Sequence, residues 1–464
     1  MYSKVKLRNY KTLVNLDVDF LLKKNTPKPI VIIYGENGAG KTNLISAFTT
    51  LSYSLQTMMT PYQIYRIFTQ NKIDLDENND LDEQEQYESF KKFLLAKFPS
   101  TKNIIEQNKT IGSIEPMVLE YEFYINNKRG VYHIEYDDME IIEEKLMYTP
   151  SNRISTLFEV TKNHTKISTK AFKHANYRRE INYQVKQYFG KHSLLSIIVN
   201  EIISKSRKFI KDNICDDLIE IVDEFVDLSI KEENELINIF DYENEESPFE
   251  LTEGVIPISQ SAYLDEREEI LNNFFTSTYS DIQEVYYKKE IKNEKIRYQL
   301  FIKKKIYGRI LDIDFRNESS GTRNLLKIII PLLKAVSGQT VIIDELDTGI
   351  HDVLIKNIID SIIGLVKGQL IITTHNTLLF NLNSGLSSLY VFNIDNNANK
   401  ELISIDEYED RDHPNLNYQN RYLKGLYGGV PITGNIDFEE LGNMYIDEIA
   451  SIKKTENEHV QRSK

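Results

Sequence analysis

Residues 35–42 read Gly-Glu-Asn-Gly-Ala-Gly-Lys-Thr, and no other feature constrains the fold of this chain as tightly. A glycine-rich run of this form works only between a buried strand and the start of a helix. Both flanks agree. Pro29-Ile30-Val31-Ile32-Ile33-Tyr34 is an apolar run of strand length, and Asn43-Leu44-Ile45-Ser46-Ala47-Phe48 has helical spacing. The glycines let backbone N–H groups turn inward around phosphates, and the new helix adds its positive end. Gly35, Asn37, Gly38, Gly40, Lys41, Thr42 and Asn43 are therefore the predicted phosphate-binding residues. Lys41 reaches the terminal phosphates as a point charge, and Thr42 offers a hydroxyl to Mg²⁺.

The rest of the chain narrows the setting. Its 464 residues suffice for two to four compact units, and 41% hydrophobic with 27% charged residues is ordinary globular composition. One cysteine, Cys215, excludes an intramolecular disulfide and suits a reducing compartment. The first residues lack a signal-peptide core, and no apolar run approaches the ~20 residues of a membrane helix. The expected location is cytoplasmic, with no membrane contact. The net charge of −14 favours a protein partner over nucleic acid, because phosphate neutralisation wants a basic surface.

Alternating residues at Val5–Tyr10 and Val14–Phe20 predict paired strands ahead of the loop. Helix follows from Leu44 to about Met58. Asp74 to Glu88 is acidic and reads as a solvated loop or helix face. From Met117 to Met147 short alternating segments predict an antiparallel meander, continued towards Phe158. From about Lys170 to Glu290 apolar spacing turns helical, as at Leu195, Ile198, Ile202 and Phe209, and at Leu218, Ile221, Phe225 and Leu228. These stripes predict a compact helical insertion. Lys295–Ile302 and Ile310–Phe315 return to strand.

A second cluster of chemistry follows. Thr340–Ile343 is a buried strand ending in Asp344 and Glu345. Two adjacent carboxylates at a strand tip are costly unless something positive sits there, and Mg²⁺ with a nucleotide supplies that charge. Asp344 is predicted to hold the metal and Glu345 to orient or deprotonate the attacking water. Glu318-Ser319-Ser320-Gly321-Thr322-Arg323 precedes a helical run from Asn324 to about Val336. Serine there is ordinarily a cap, yet such a helix start also suits a γ-phosphate. Leu370–Thr374 is a third strand, with His375 at its end, where an imidazole can hydrogen-bond the γ-phosphate. Asp347-Thr348-Gly349-Ile350-His351 shapes the turn between these strands.

Together, in this order, the motifs resemble an ABC-type ATPase head of the SMC, RecF and OLD group. Within it the chain is most similar to the stand-alone AAA/ABC hybrid ATPases of anti-phage and abortive-infection systems, the AbiL, RloA and PARIS types. Glu318–Arg323, Asp344–Asp347 with His351, and Thr373-Thr374-His375-Asn376 carry the likeness. So does Arg421-Tyr422-Leu423-Lys424-Gly425-Leu426-Tyr427-Gly428-Gly429-Val430-Pro431, which looks like the Tyr-Leu-x-Gly-x-Tyr-Gly-x-x-Pro stretch of those proteins. It covers roughly residues 1–60, 115–160 and 300–435, and not the helical insertion. Ser-Ser-Gly-Thr replaces the Ser-Gly-Gly-Gln of transporters, so transport is not expected. Gln63 is a weak candidate for a Gln-loop.

The resemblance implies an α/β fold, a mixed sheet with an antiparallel β subdomain. It implies one ATPase lobe over 1–165, the helical insertion over 166–292, a second lobe over 293–440 and a tail over 441–464, polar and unstructured from Lys453. It implies an ATP-binding and hydrolysing homo-oligomer with ATP and Mg²⁺ as ligands. Ser319, Ser320, Gly321 and Asp347 join the nucleotide-binding set, the signature of one subunit facing Lys41, Thr42 and Glu345 of another, with Glu345 and His375 catalytic. The expected role is the sensor of a defence system that restrains a separate effector, a nuclease, until a phage protein triggers release. No Toprim-like acidic set follows His375; Glu401 and Asp406 read as solvated surface. A RecF-like DNA-repair ATPase and an ATP-binding scaffold without turnover are the alternatives.

Overall fold

The computed structural model describes residues 1–22, 26–58, 99–149, 153–232, 235–237, 250–382, 388–408, 416–431 and 434–462. Gln63 and the acidic run Asp74 to Glu88 lie outside them. There are two units, Met1–Gly429 and Val430–Lys464.

Alternation near the N-terminus has the consequence the sequence suggests. Tyr2–Tyr10 pairs antiparallel with Leu13–Asp19. Tyr2–Tyr10 also pairs with Met117–Ile125, so hairpin and meander form one sheet. It continues through Lys128–Tyr136, Ile141–Tyr148, Ser155–Thr161 and His164–Ile167, seven strands in all, each pair antiparallel. Burial alternates strictly along Met117–Ile125, as one solvated and one packed face require.

The second sheet also has seven strands. In spatial order they are Glu235–Ile237, Ser229–Glu232, Thr340–Ile343, Gln369–Thr373, Ile30–Tyr34, Leu389–Ile394 and Lys400–Ser404. The central five run parallel and the two edge strands antiparallel. Ile30–Tyr34, Thr340–Ile343 and Gln369–Thr373 are buried at every residue, which is why each reads as a nearly continuous apolar run. The chain is thus α/β, a mixed sheet beside an antiparallel one.

The helix Lys41–Ser54 lies in the core the sheets share. One cluster joins Leu7, Leu119 and Ile134 of the antiparallel sheet to Leu44 and Phe48 of the helix and to Val31 and Ile33 of the phosphate-loop strand. Its buried hydroxyls find partners: Ser54 Oγ donates to the Leu51 carbonyl at 2.7 Å, and Tyr10 Oη lies 3.0 Å from Ser46 Oγ and 2.8 Å from Thr50 Oγ1.

Residues 166–292 depart from the helical pattern in three places. Ala175–Tyr188, Leu194–Ser204, Arg207–Asn213 and Asp216–Val226 are helices. Phe209, however, is not on the helix of Leu195, Ile198 and Ile202, because Ser206 caps a new one by accepting the Phe209 N–H at 3.3 Å. Ser229–Glu232 is then a strand beside Thr340–Ile343. Farther on, Glu253–Pro257, Ile282–Lys292, Lys295–Ile306 and Arg309–Asp314 build a small antiparallel sheet, with the helix Ser261–Thr278 bonded to it through Asn272 and Glu268.

A buried carboxylate ties the helical part to the antiparallel sheet. Glu144 accepts the N–H groups of Leu194 and Leu195 at the start of Leu194–Ser204, and the Tyr132 hydroxyl at 3.1 Å. Burial nevertheless dominates and pushes its pKa from 4.5 up to about 7. Between those values the folded chain binds one proton more than the unfolded chain, so stability falls as pH rises, by at most about 1.4 kcal/mol per pH unit. Urea titrations from pH 5 to 7 are expected to show this slope, and Glu144→Gln to flatten it.

In the second unit Phe438–Arg462 is one helix. The tail expected to be unstructured from Lys453 is therefore helical to Arg462. No glycine or proline interrupts residues 443–462, and good helix formers are concentrated towards their end, at Lys453, Lys454, Glu456, Glu458, Gln461 and Arg462. No helix among the described residues is long and apolar enough to cross a membrane.

Candidate functional site

The tips of three neighbouring parallel strands gather the chemistry. Ile30–Tyr34 delivers the phosphate loop, Thr340–Ile343 the two acids, and Gln369–Thr373 the histidine turn. Ligands of open parallel sheets bind at these carboxyl ends.

The loop curls around its own lysine. Lys41 Nζ donates to the carbonyls of Gly35 at 2.8 Å and Glu36 at 3.2 Å, and the side chain is only 6% exposed. Burial lowers its pKa, opposed by the charges of Asp344, Glu345, Asp347 and Glu36. Gly40 precedes the helix at φ 116°, and a side-chain carbon there would stand 2.9 Å from Leu13 Cδ2. Asn37, Gly38 and Thr42 are exposed. Asn43 Nδ2 donates to Thr12 Oγ1 at 2.6 Å.

The acids are organised by the neighbouring strand. Asp344 is 2% exposed and accepts the Thr373 hydroxyl. The same Thr373 oxygen accepts the Glu345 N–H at 2.8 Å. Glu345 sits at φ 47°, a left-handed conformation that a non-glycine residue rarely adopts. Its carboxylate is exposed and accepts the Thr348 hydroxyl at 3.1 Å. Asp347 accepts the Thr374 hydroxyl at 2.6 Å and the His375 N–H at 3.3 Å. Burial and the Lys41 charge hold the His375 pKa below the ordinary imidazole value, against the pull of Asp347, Glu345 and Asp344. The imidazole is uncharged at neutral pH.

Ser319 is the cap of Ser320–Ser337, its Oγ accepting the Thr322 N–H at 3.2 Å. Ser319 and Ser320 are exposed. The helix start is fastened to the turn after the acids: Asn324 Nδ2 donates to the Thr348 carbonyl at 2.9 Å, and Gly321 faces the Gly349 carbonyl closely. The structure brings Lys41, Asp344, Glu345, Asp347 and His375 together. The hydrogen bonds of Ser319 stay within its own helix turn.

Sequence reasoning gave four residues no role of their own. Thr373 holds Asp344 and the Glu345 backbone, and Thr374 holds Asp347; the sequence showed both only as part of the Thr373–Asn376 likeness. Lys231, from the strand Ser229–Glu232, is 5% exposed, and its carbonyl accepts the Asp344 N–H at 2.8 Å. Lys400 Nζ donates to the Gly38 carbonyl at 2.6 Å and to Thr12 Oγ1 at 2.8 Å. Neither lysine has a local signature. Thr373→Val removes a donor from buried Asp344 and an acceptor from Glu345, a loss of about 1–3 kcal/mol. A lower melting temperature is expected, with Thr373→Ser restoring it.

No group of three His, Cys, Asp or Glu residues placed to hold a metal occurs among the described residues. Buried Asp344 and the Thr42 hydroxyl still suit Mg²⁺, which takes one or two protein oxygens and fills the rest with phosphate and water.

Residues 302–381 match the protein family described as "AAA domain, putative AbiEii toxin, Type IV TA system". No curated protein matches the chain. Among solved structures it is similar to an SMC head bound to the C-winged helix domain of ScpA, at 11% identity over 88% of this chain and 99% of that one, TM-score 0.40. It is similar to the SMC head domain from Thermotoga maritima at 12% identity, over 87% and 98%, TM-score 0.36. An SMC head with an extended coiled coil bound to the C-terminal domain of ScpA, derived from Pyrococcus furiosus, gives 12%, 88% and 98%, TM-score 0.36.

Proposed function

We propose that this chain binds and hydrolyses ATP at the three strand tips, and that ATP holds two copies together. The convergence of the phosphate loop, the two acids and the His375 turn at three neighbouring parallel strand tips carries this reading, with Asp344 and Glu345 acting electrostatically on both Lys41 and His375. The loop N–H groups and Lys41 grip the phosphates. Thr42 and Asp344 are the residues to hold Mg²⁺, which supplies charge neutralisation when bound. Glu345, steadied by Thr348 and Thr373, takes a proton from water as its oxygen bonds to the γ-phosphorus and the bond to the ADP oxygen breaks. His375 hydrogen-bonds the γ-phosphoryl group, and Asp347 fixes its backbone. The exposed Ser319 and Ser320 and the half-buried Gly321 of a second copy complete the cradle with a helix N-terminus.

ATP then favours the joined state because only that state offers both halves of the cradle. We take this assembly to control a separate effector protein, a nuclease, within an anti-phage defence system answering a phage trigger. The toxin-type family description over 302–381 and the net charge of −14 support a protein partner over DNA. Light scattering of the wild-type and Glu345→Gln chains tests the joined state. ATP is expected to double the mass, reversibly for the first and persistently for the second. Unchanged mass in both removes the two-copy cradle.

A further inference from the structure

The segment Asn417–Gly429 has no part in the chemistry above, yet it is packed against the two turns that carry it. Tyr34, the last residue of the phosphate-loop strand, is fully buried. Its ring lies 4.4 Å from Phe380 and 5.4 Å from Tyr422, and Phe380 and Tyr422 stack at 4.8 Å and 26°. The Tyr34 hydroxyl donates to the Asn376 carbonyl at 3.1 Å, one residue past His375. Gln419 bridges Thr377 and Asn381 at 2.9 and 3.1 Å. The segment therefore grips the histidine turn on one side.

On the other side it meets the phosphate loop. The Tyr422 hydroxyl donates to the Gly429 carbonyl at 3.0 Å and closes the segment on itself. Gly428 and Gly429 have φ of 72° and 65°. A side-chain carbon at Gly428 would stand 1.8 Å from Asn393 Oδ1; one at Gly429 would stand 2.3 Å from Val391 Cγ1 and 3.5 Å from Gly35 Cα. Both approaches need glycine. The Tyr422 phenol, pushed up to about 12 by burial, also feels the charge of Glu36 on the loop.

We infer that Tyr422, Gly428 and Gly429 are positioning residues that hold the phosphate loop and the His375 turn as one body, a brace on the ATP site. The inference rests on the proposed ATP binding. It assigns a task to the glycine pair and the tyrosine that chain packing alone does not demand: they set where Gly35 and Asn376 stand relative to each other. Such positions act through geometry, and small displacements weaken binding.

The test measures affinity for a fluorescent ATP analogue with melting temperatures alongside. Tyr422→Leu keeps apolar bulk but loses the stack and the hydroxyl, and is expected to raise Kd about tenfold while the fold persists. Tyr422→Phe keeps the stack and is expected to restore most of the affinity. Gly429→Ala, which presses on Val391 beside Gly35, is expected to raise Kd as well, and it serves alone if Tyr422→Leu does not fold. Wild-type affinity in a folded Tyr422→Leu or Gly429→Ala overturns the brace and leaves the ATP reading standing. A wild-type chain that binds no ATP overturns both.

Discussion

Lys41→Ala is expected to abolish detectable ATP binding. The ammonium is held by the Gly35 and Glu36 carbonyls at the mouth of the loop, opposite Asp344 and Glu345. A charged hydrogen bond contributes about 1.5–3 kcal/mol, and each 1.4 kcal/mol is about tenfold in Kd. On the proposed reading Lys41 serves more than one phosphate oxygen, so a loss of at least about a hundredfold is expected. The fold should survive, because burial already disfavours the charged lysine. Calorimetric titration with ATP, beside a melting curve, separates the two effects. Binding at wild-type strength removes the phosphate-loop assignment.

Glu345→Gln is the second large effect, and it is of the opposite kind. Glutamine keeps an acceptor for the Thr348 hydroxyl, and its backbone N–H still reaches Thr373. What it loses is the capacity to take a proton. General-base catalysis contributes about 10²- to 10⁴-fold, so turnover should fall by that factor while ATP affinity holds. ATP should then accumulate on the chain and keep two copies joined. Phosphate release measured in single turnover reads the chemical step directly; a rate near wild type takes the base role away from Glu345. The left-handed backbone at this residue adds weight to that role, because strain is kept where a side chain must be aimed.

What could be read in advance was local. The phosphate loop announces itself because strand, glycines, lysine and helix are contiguous. Ile30–Tyr34, Thr340–Ile343 and Gln369–Thr373 announce themselves because burial on both faces leaves nearly continuous apolar runs. Non-local decisions were hidden. Ser229–Glu232 is a strand because Thr340–Ile343 offers it an edge, while its own residues follow a helical neighbourhood. Thr373 matters through Asp344, and Lys400 through Gly38, each far off in sequence. Phe209 left the expected stripe because Ser206 restarts the helix, a capping signal outweighed by apolar spacing. The tail was misjudged in the other direction, polarity being taken for lack of structure where helix propensity prevails.

The neighbours of Ile30–Tyr34 have a consequence for how the molecule comes into being. Both strands that flank it, Gln369–Thr373 and Leu389–Ile394, are made hundreds of residues later. On the ribosome, Val31, Ile32 and Ile33 have no native partner strand until those segments emerge, an exposed edge of the sort that invites aggregation and chaperone capture. Contacts of such sequence separation also form slowly. The proposed nucleotide cradle therefore cannot close before Gln369–Thr373 and Leu389–Ile394 have been made.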